Sequence, residues 1–320
     1  MVNDRWRSAH CRLNGADVCG GLALASAPSS VSQWCGVCVP IGLAAGESLG
    51  DELAGSRFTN LLGRLNSVSY IAIAATTAIG ASFAERDYAL PFGLAAGAGL
   101  AAAFLAAGLK EPQRPAVARG MGGTIAEALR IVRGNRQLLA LVVFSATLWT
   151  VSALVHLYAQ AVLAERGLAP SQIGFVLGAT LFTTAVGAWL SGRLASLRPF
   201  RFWTVAVTGA VAGSGLLMGG APIPVAILGL IVAELFAGAF EPMTAQRVNV
   251  AITSAQRATV LSVEGFLYSV TMIWAFPLFG WTAERYGWLP AYGIAGGLVV
   301  LLLGVFLVLG GGRPMGPERA

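Results

Sequence analysis

Glu234 stands 12 residues into an apolar stretch that runs from Pro222 to Pro242. At helical rise that is about 18 Å from its start, near the middle of a membrane-spanning segment. An ionisable group at that depth is costly in hydrocarbon and normally faces a cavity or a partner. A carboxylate there can bind a cation or take up a proton. The alternative is structural, a protonated or hydrogen-bonded glutamate between packed helices. His156 lies in a second apolar stretch, with Gln160 one turn further on. As a side-chain type, imidazole exchanges protons near neutral pH and suits a proton relay. Its alternative is a packed, neutral histidine. Glu264 lies about one turn inside a third stretch, where Arg257 or Arg247 is expected to pair with it. Glu241 adjoins Pro242 at the same side, and Arg247 is its expected partner.

Other chemistries lack their residues. A nucleotide-binding Gly-x-x-x-x-Gly-Lys loop is excluded, because the chain's one lysine, Lys110, is followed by Glu111. No ATP motor is therefore expected. The two histidines, His10 and His156, are too far apart for a His-Glu-x-x-His zinc site. Cys35 and Cys38 form a Cys-x-x-Cys pair, with Cys11 and Cys19 nearby. A metal or redox centre would need further ligands, and none is in place. No clustered catalytic set is present, so the expectation is a non-enzyme without cofactor or metal.

The elements that position these residues follow from composition. Of 320 residues, 56% are hydrophobic and 11% are charged. A soluble domain carries about 25% charged residues. The apolar residues come in blocks of the length that spans a bilayer core, roughly 20 residues. Unpaired backbone groups cannot sit in hydrocarbon, so each block is expected to be helical. The sequence predicts eight spans: Asn66 to Ala84, Ala89 to Leu109, Leu138 to Leu163, Ser171 to Ser191, Phe202 to Gly220, Pro222 to Pro242, Val260 to Trp281, and Leu289 to Gly310. Pro112, Pro170, Pro199, Pro222, Pro242 and Pro290 sit in or beside the gaps as breakers. Glycine pairs at 93/97, 174/178, 209/213 and 293/297 read as helix-packing seams. The fold class is an all-α, polytopic transmembrane helix bundle, with the lipid bilayer as its surroundings.

The net charge of +6 resides in the gaps between spans. No basic stripe with interleaved aromatics exists, which argues against nucleic-acid binding. Lys and Arg instead report orientation. The gap from Lys110 to Gln137 holds six basic residues, and Arg193, Arg198 and Arg201 cluster in a later one. Between them lies a gap with Arg166 alone, and rich and poor gaps alternate along the chain. The rich side is expected to be cytoplasmic, with the long loop and the C-terminal tail on it and the spans in a plasma or inner membrane. Residues 1–50 hold all four cysteines and are more polar. They form an atypical N-terminal segment with at most one weak span, Val31 to Ala45. They lack the pattern of a signal peptide.

Two spans resemble each other. Ser171 opens one that ends Gly192-Arg193-Leu194-Ala195, and Val260 opens one that ends Gly280-Trp281-Thr282-Ala283. By the charge count they cross the membrane in opposite directions, as three-helix inverted repeats do in many secondary transporters. The chain resembles the major facilitator superfamily on several stretches. Leu157 to Gln160 with Arg166-Gly167-Leu168 and Ser171 to Gly174 looks like that family's seventh span entering its eighth. Arg257 to Ser262 looks like the start of its eleventh, and Pro277 to Gly280 with Ala283 to Gly287 like the turn into its twelfth. The resemblance covers roughly Glu47 to Gly310. It implies a remnant of the N-terminal half with two spans in 51–112, a central cytoplasmic loop in 113–137, a C-terminal six-helix half in 138–312 and a cytoplasmic tail in 313–320. It also places Glu234 on the cavity-lining tenth span. The family's Gly-rich loop between its second and third spans has no counterpart here. The implied function is secondary transport of a small molecule by alternating access, with proton-coupled efflux favoured. The alternative is a truncated, non-transporting remnant or a helical membrane partner subunit.

Overall fold

The computed structural model describes residues 56–84, 87, 89–107, 130, 132–251 and 254–310. The readings on residues 1–50, on the bulk of the central loop and on the tail lie outside them. Among the described residues eight long helices follow one another: α1 Ser56–Ala84, α2 Ala89–Ala107, α3 Arg136–Glu165, α4 Pro170–Leu197, α5 Phe200–Gly220, α6 Ile223–Ala251, α7 Ser254–Tyr286 and α8 Trp288–Val308. All but α2 are long and apolar enough to cross a membrane, and α2 carries a shorter apolar stretch, Ala89–Ala101. The protein is a polytopic helical membrane bundle.

The helices are longer than the apolar spans. α1 begins at Ser56 rather than Asn66, and α4 continues to Leu197 past Ser191. Hydropathy marks only the part of a helix in hydrocarbon, whereas its hydrogen bonds continue into polar surroundings. Pro242 departs from expectation, since α6 runs through it to Ala251. α7 likewise contains Pro277. Each proline removes one intrahelical hydrogen bond, and neighbouring helices hold such segments in register. Two gap prolines do act at helix starts: Pro199 caps α5 and Pro170 opens α4. The central loop closes slightly earlier than Gln137, because Asn135 caps α3, its Oδ1 accepting from the N–H groups of Gln137 and Leu138.

α3 is the most buried helix and touches every helix from α4 to α8. Phe144 stacks on Phe306 of α8 with ring centroids 4.9 Å apart. Tyr158 packs on Phe279 of α7 at 4.6 Å and donates a hydrogen bond to the Phe276 carbonyl at 3.0 Å, beside Pro277. α1 lies along α4, and α4 along α6. The α3–α4 and α7–α8 turns pass through Gly167 and Gly287, both with positive φ near 90°, a region costly for residues with a Cβ. These turns meet the α5–α6 turn at one end of the bundle. There the Arg166 guanidinium donates to the Met218 carbonyl at 2.6 Å and the Ala221 carbonyl at 2.8 Å. Trp288 Nε1 donates to Glu165 at 2.5 Å. Arg166 thus satisfies carbonyls that the last turn of α5 leaves open.

Glycine lets α4 approach two neighbours backbone to backbone. A Cβ on Gly63 would stand 2.2 Å from the Ala188 carbonyl oxygen, and one on Gly174 2.1 Å from the Ala81 Cβ. On the α6 side, a Cβ on Gly187 would stand 2.1 Å from the Leu235 carbonyl oxygen and one on Gly238 2.1 Å from that of Thr184. Of the expected seams, 174/178 is one. Gly93, Gly97, Gly209, Gly213 and Gly297 face open space, and Gly293 makes only ordinary contact with Leu216. With 41 glycines in the chain, small-x-x-x-small spacing recurs on faces that meet no helix.

Candidate functional site

Helix α3 brings His156 to Glu234 of α6. His156 Nδ1 lies 3.4 Å from Glu234 Oε1. Both residues are buried, at 6% and 9% exposure. Thr184 of α4 donates its hydroxyl to the other oxygen, Glu234 Oε2, at 2.8 Å. Three helices therefore meet at one polar point within an apolar bundle. The close packing of α4 against α6 explains the placement. Gly238, one turn beyond Glu234, rests its backbone directly on Thr184 and sets the helix spacing at which that hydroxyl reaches the carboxylate.

The approach of His156 to Glu234 does not form a hydrogen bond. His156 Nδ1 is one of two buried side-chain polar atoms without a hydrogen-bond partner among the described residues, the other being the Tyr292 hydroxyl. A buried polar atom left unpaired costs about 1–3 kcal/mol. Such an exception calls for an explanation in strain, in a catalytic role or in a bound water or ion. Gln160 is half-buried and lies one turn from His156 on the same face.

The other two interior carboxylates also meet hydroxyls. Tyr70 of α1 donates to Glu241 Oε2 at 2.8 Å. Ser145 of α3 donates to Glu264 Oε1 at 2.6 Å. All three glutamates thus receive a hydroxyl, each from a different helix: α4, α1 and α3. A hydroxyl both donates and accepts, so these pairings survive protonation of the acid. Glu241 lies within electrostatic range of both Glu234 and Glu264. Arg247, the expected partner of Glu241, places its guanidinium over the Phe200 ring, 4.5 Å from the centroid. The side chain of Arg257 lies outside the described residues.

The sequence reading brought out His156, Glu234, Glu241 and Glu264. It missed Thr184, Tyr70 and Ser145, because one hydroxyl in an apolar helix is unremarkable by itself. A signal did exist on α3. Ser145, Trp149, Ser152, His156 and Gln160 fall at spacings of four, three, four and four residues, which places them on one helix face. The described residues include no group of three or more His, Cys, Asp or Glu side chains able to hold a metal ion. What the arrangement can do is bind and release a proton or a cation within the bundle. No family model matches the chain, and no curated protein sequence matches it.

Proposed function

We propose that the protein is a secondary transporter of the major facilitator type, moving a small molecule by alternating access with proton coupling, and favouring efflux. The observation that carries this reading is the buried contact between His156 and Glu234, with Thr184 on the second carboxylate oxygen. Glu234 lies 11 residues from the start of α6, about 17 Å along its axis, near the depth at which transporters place coupling-ion sites. Protonation of either partner changes the charge of the pair, and a change of charge in low dielectric alters helix contacts strongly. In this reading the protein resides in a plasma or inner membrane. The basic loop 113–137 and the tail 313–320 face the cytoplasm, and Arg166 and the Gly167 and Gly287 turns face outward.

The test uses the full chain reconstituted in liposomes loaded with a pH-sensitive dye. A panel of small organic cations, anions and neutral solutes is added, and proton movement is recorded. At least one solute elicits proton movement through the wild type, and none does so through Glu234→Gln at equal incorporation. Gln keeps the shape and the Thr184 contact but carries no exchangeable carboxyl proton. Equal flux through Glu234→Gln overturns the coupling role. A wild type silent to the whole panel favours a non-transporting membrane subunit.

A further inference from the structure

We propose that the transported molecule is an organic ammonium ion, with its charged nitrogen between His156 and Glu234 and its apolar body along the polar face of α3. This rests on the transport reading and names its substrate class. Three independent observations support it.

First, the charged side chains of the predicted apolar spans are acidic, Arg247 of α6 lying five residues beyond Pro242. The eight predicted spans contain Glu234, Glu241 and Glu264 and neither Lys nor Arg. Two like charges at such depth repel, and a third charge of the same sign on a substrate would add to the cost. An anion is therefore disfavoured and a cation favoured.

Second, the unsatisfied atom points to a donor. His156 Nδ1 and Glu234 Oε1 are 3.4 Å apart with no hydrogen bond between them. With the imidazole proton on Nε2, both atoms are acceptors. An ammonium group has several N–H donors, and two of them can bridge this pair from one side. Its charge also strengthens both bonds. A hydroxylic or carboxylate ligand satisfies only part of that arrangement.

Third, the face leading away from the pair suits the rest of such a molecule. Trp149 and Ser152 lie two turns and one turn before His156, and both are half-buried. Two turns span about 11 Å, the scale of an arylalkyl amine. An indole face offers apolar surface to an aromatic body.

Four compounds of nearly one shape test the proposal: benzylamine, benzyltrimethylammonium, benzyl alcohol and benzoate. Binding to the purified full chain in detergent is measured by calorimetry, with size-exclusion profile and thermal unfolding recorded for every variant. Benzylamine binds most tightly. Benzyltrimethylammonium, which has the charge but no N–H, binds more weakly. Benzyl alcohol and benzoate do not compete. Glu234→Gln weakens benzylamine by about tenfold or more, the scale of one charge-assisted hydrogen bond. Trp149→Leu weakens it by a smaller factor without altering the preference for the amine. Benzoate or benzyl alcohol binding as tightly as benzylamine overturns the proposal, as does unchanged benzylamine affinity in a well-folded Glu234→Gln protein. Benzylamine binding with this selectivity, but without proton flux in liposomes, upholds the site and retires the transport reading.

Discussion

Adding one methyl group at Gly238 should disconnect Thr184 from Glu234 without altering either residue. The methyl would lie 2.1 Å from the Thr184 carbonyl oxygen, 2.8 Å from its carbonyl carbon and 2.9 Å from its Cα. These are backbone atoms of a packed helix, which cannot swing aside as a flexible side chain does. Reaching even 3.4 Å, the lower edge of ordinary contact, requires α4 and α6 to separate by about 1.3 Å. The hydroxyl–carboxylate distance of 2.8 Å then opens toward about 4 Å, beyond hydrogen-bond range. Overpacking of this kind costs about 1–3 kcal/mol. The lost hydrogen bond adds about 0.6 kcal/mol in a membrane interior. Against these, Ala gains about 1 kcal/mol over Gly in helix propensity. A net destabilisation of about 0.6–2.6 kcal/mol follows for Gly238→Ala. Gly209→Ala is the control, since nothing stands within 4 Å of its added Cβ. It should leave stability unchanged or raise it by up to about 1 kcal/mol. Thermal unfolding of the purified variants in one detergent decides the matter. Equal melting temperatures for Gly238→Ala and Gly209→Ala would refute the account of the α4–α6 seam.

Thr184→Val keeps the side-chain shape but leaves Glu234 Oε2 without its donor. It should lower stability by about 0.6–1.7 kcal/mol in the same unfolding assay. Arg166→Ala uncovers the Met218 and Ala221 carbonyls and should cost about 1–2 kcal/mol. Lysine, lacking the two-pronged donor geometry, should restore only part of that loss. Gly287→Ala forces a Cβ into a backbone with φ of +91°, and it should lower the melting temperature through about 1–2 kcal/mol of strain. A reporter fused after Ala320 should be active in the cytoplasmic form and silent in the exported form. The opposite pattern would reverse the assigned orientation.

The helices were legible because each must satisfy its own backbone and most must be apolar for about 20 residues. Their ends were not. The first ten residues of α1 include Arg57, Asn60 and Arg64, which dilute hydropathy without interrupting a helix. Pro242 reads as a stop in one dimension, but α6 continues through it beside helices that hold its backbone in place. His156 and Glu234 were each visible as costly groups. Their meeting was not, because 78 residues separate them and helix crossing geometry decides it. Thr184, Tyr70 and Ser145 become informative only once their neighbours are known. The glycine pairs show the same limit. Spacing identifies a smooth strip on a helix, and Gly174 differs from Gly209 only in what lies opposite.

The bare contacts of α4 also bear on how this protein tolerates change. In hydrocarbon, lipid tails are as apolar as leucine, so burial alone gives helices little reason to associate. α4 is held by surfaces whose fit depends on missing side chains at Gly63, Gly174, Gly187 and Gly238. Every available replacement at these sites is larger, so drift there runs in one direction and cannot be offset by trimming a neighbour, because the nearest opposing atoms at Gly63, Gly187 and Gly238 are main chain. Neutral variation should therefore collect on the lipid-facing sides of α2 and α7 while this strip stays nearly invariant. A library of random substitutions, sorted for folded protein, would record the strip as a line of positions that accept a single letter.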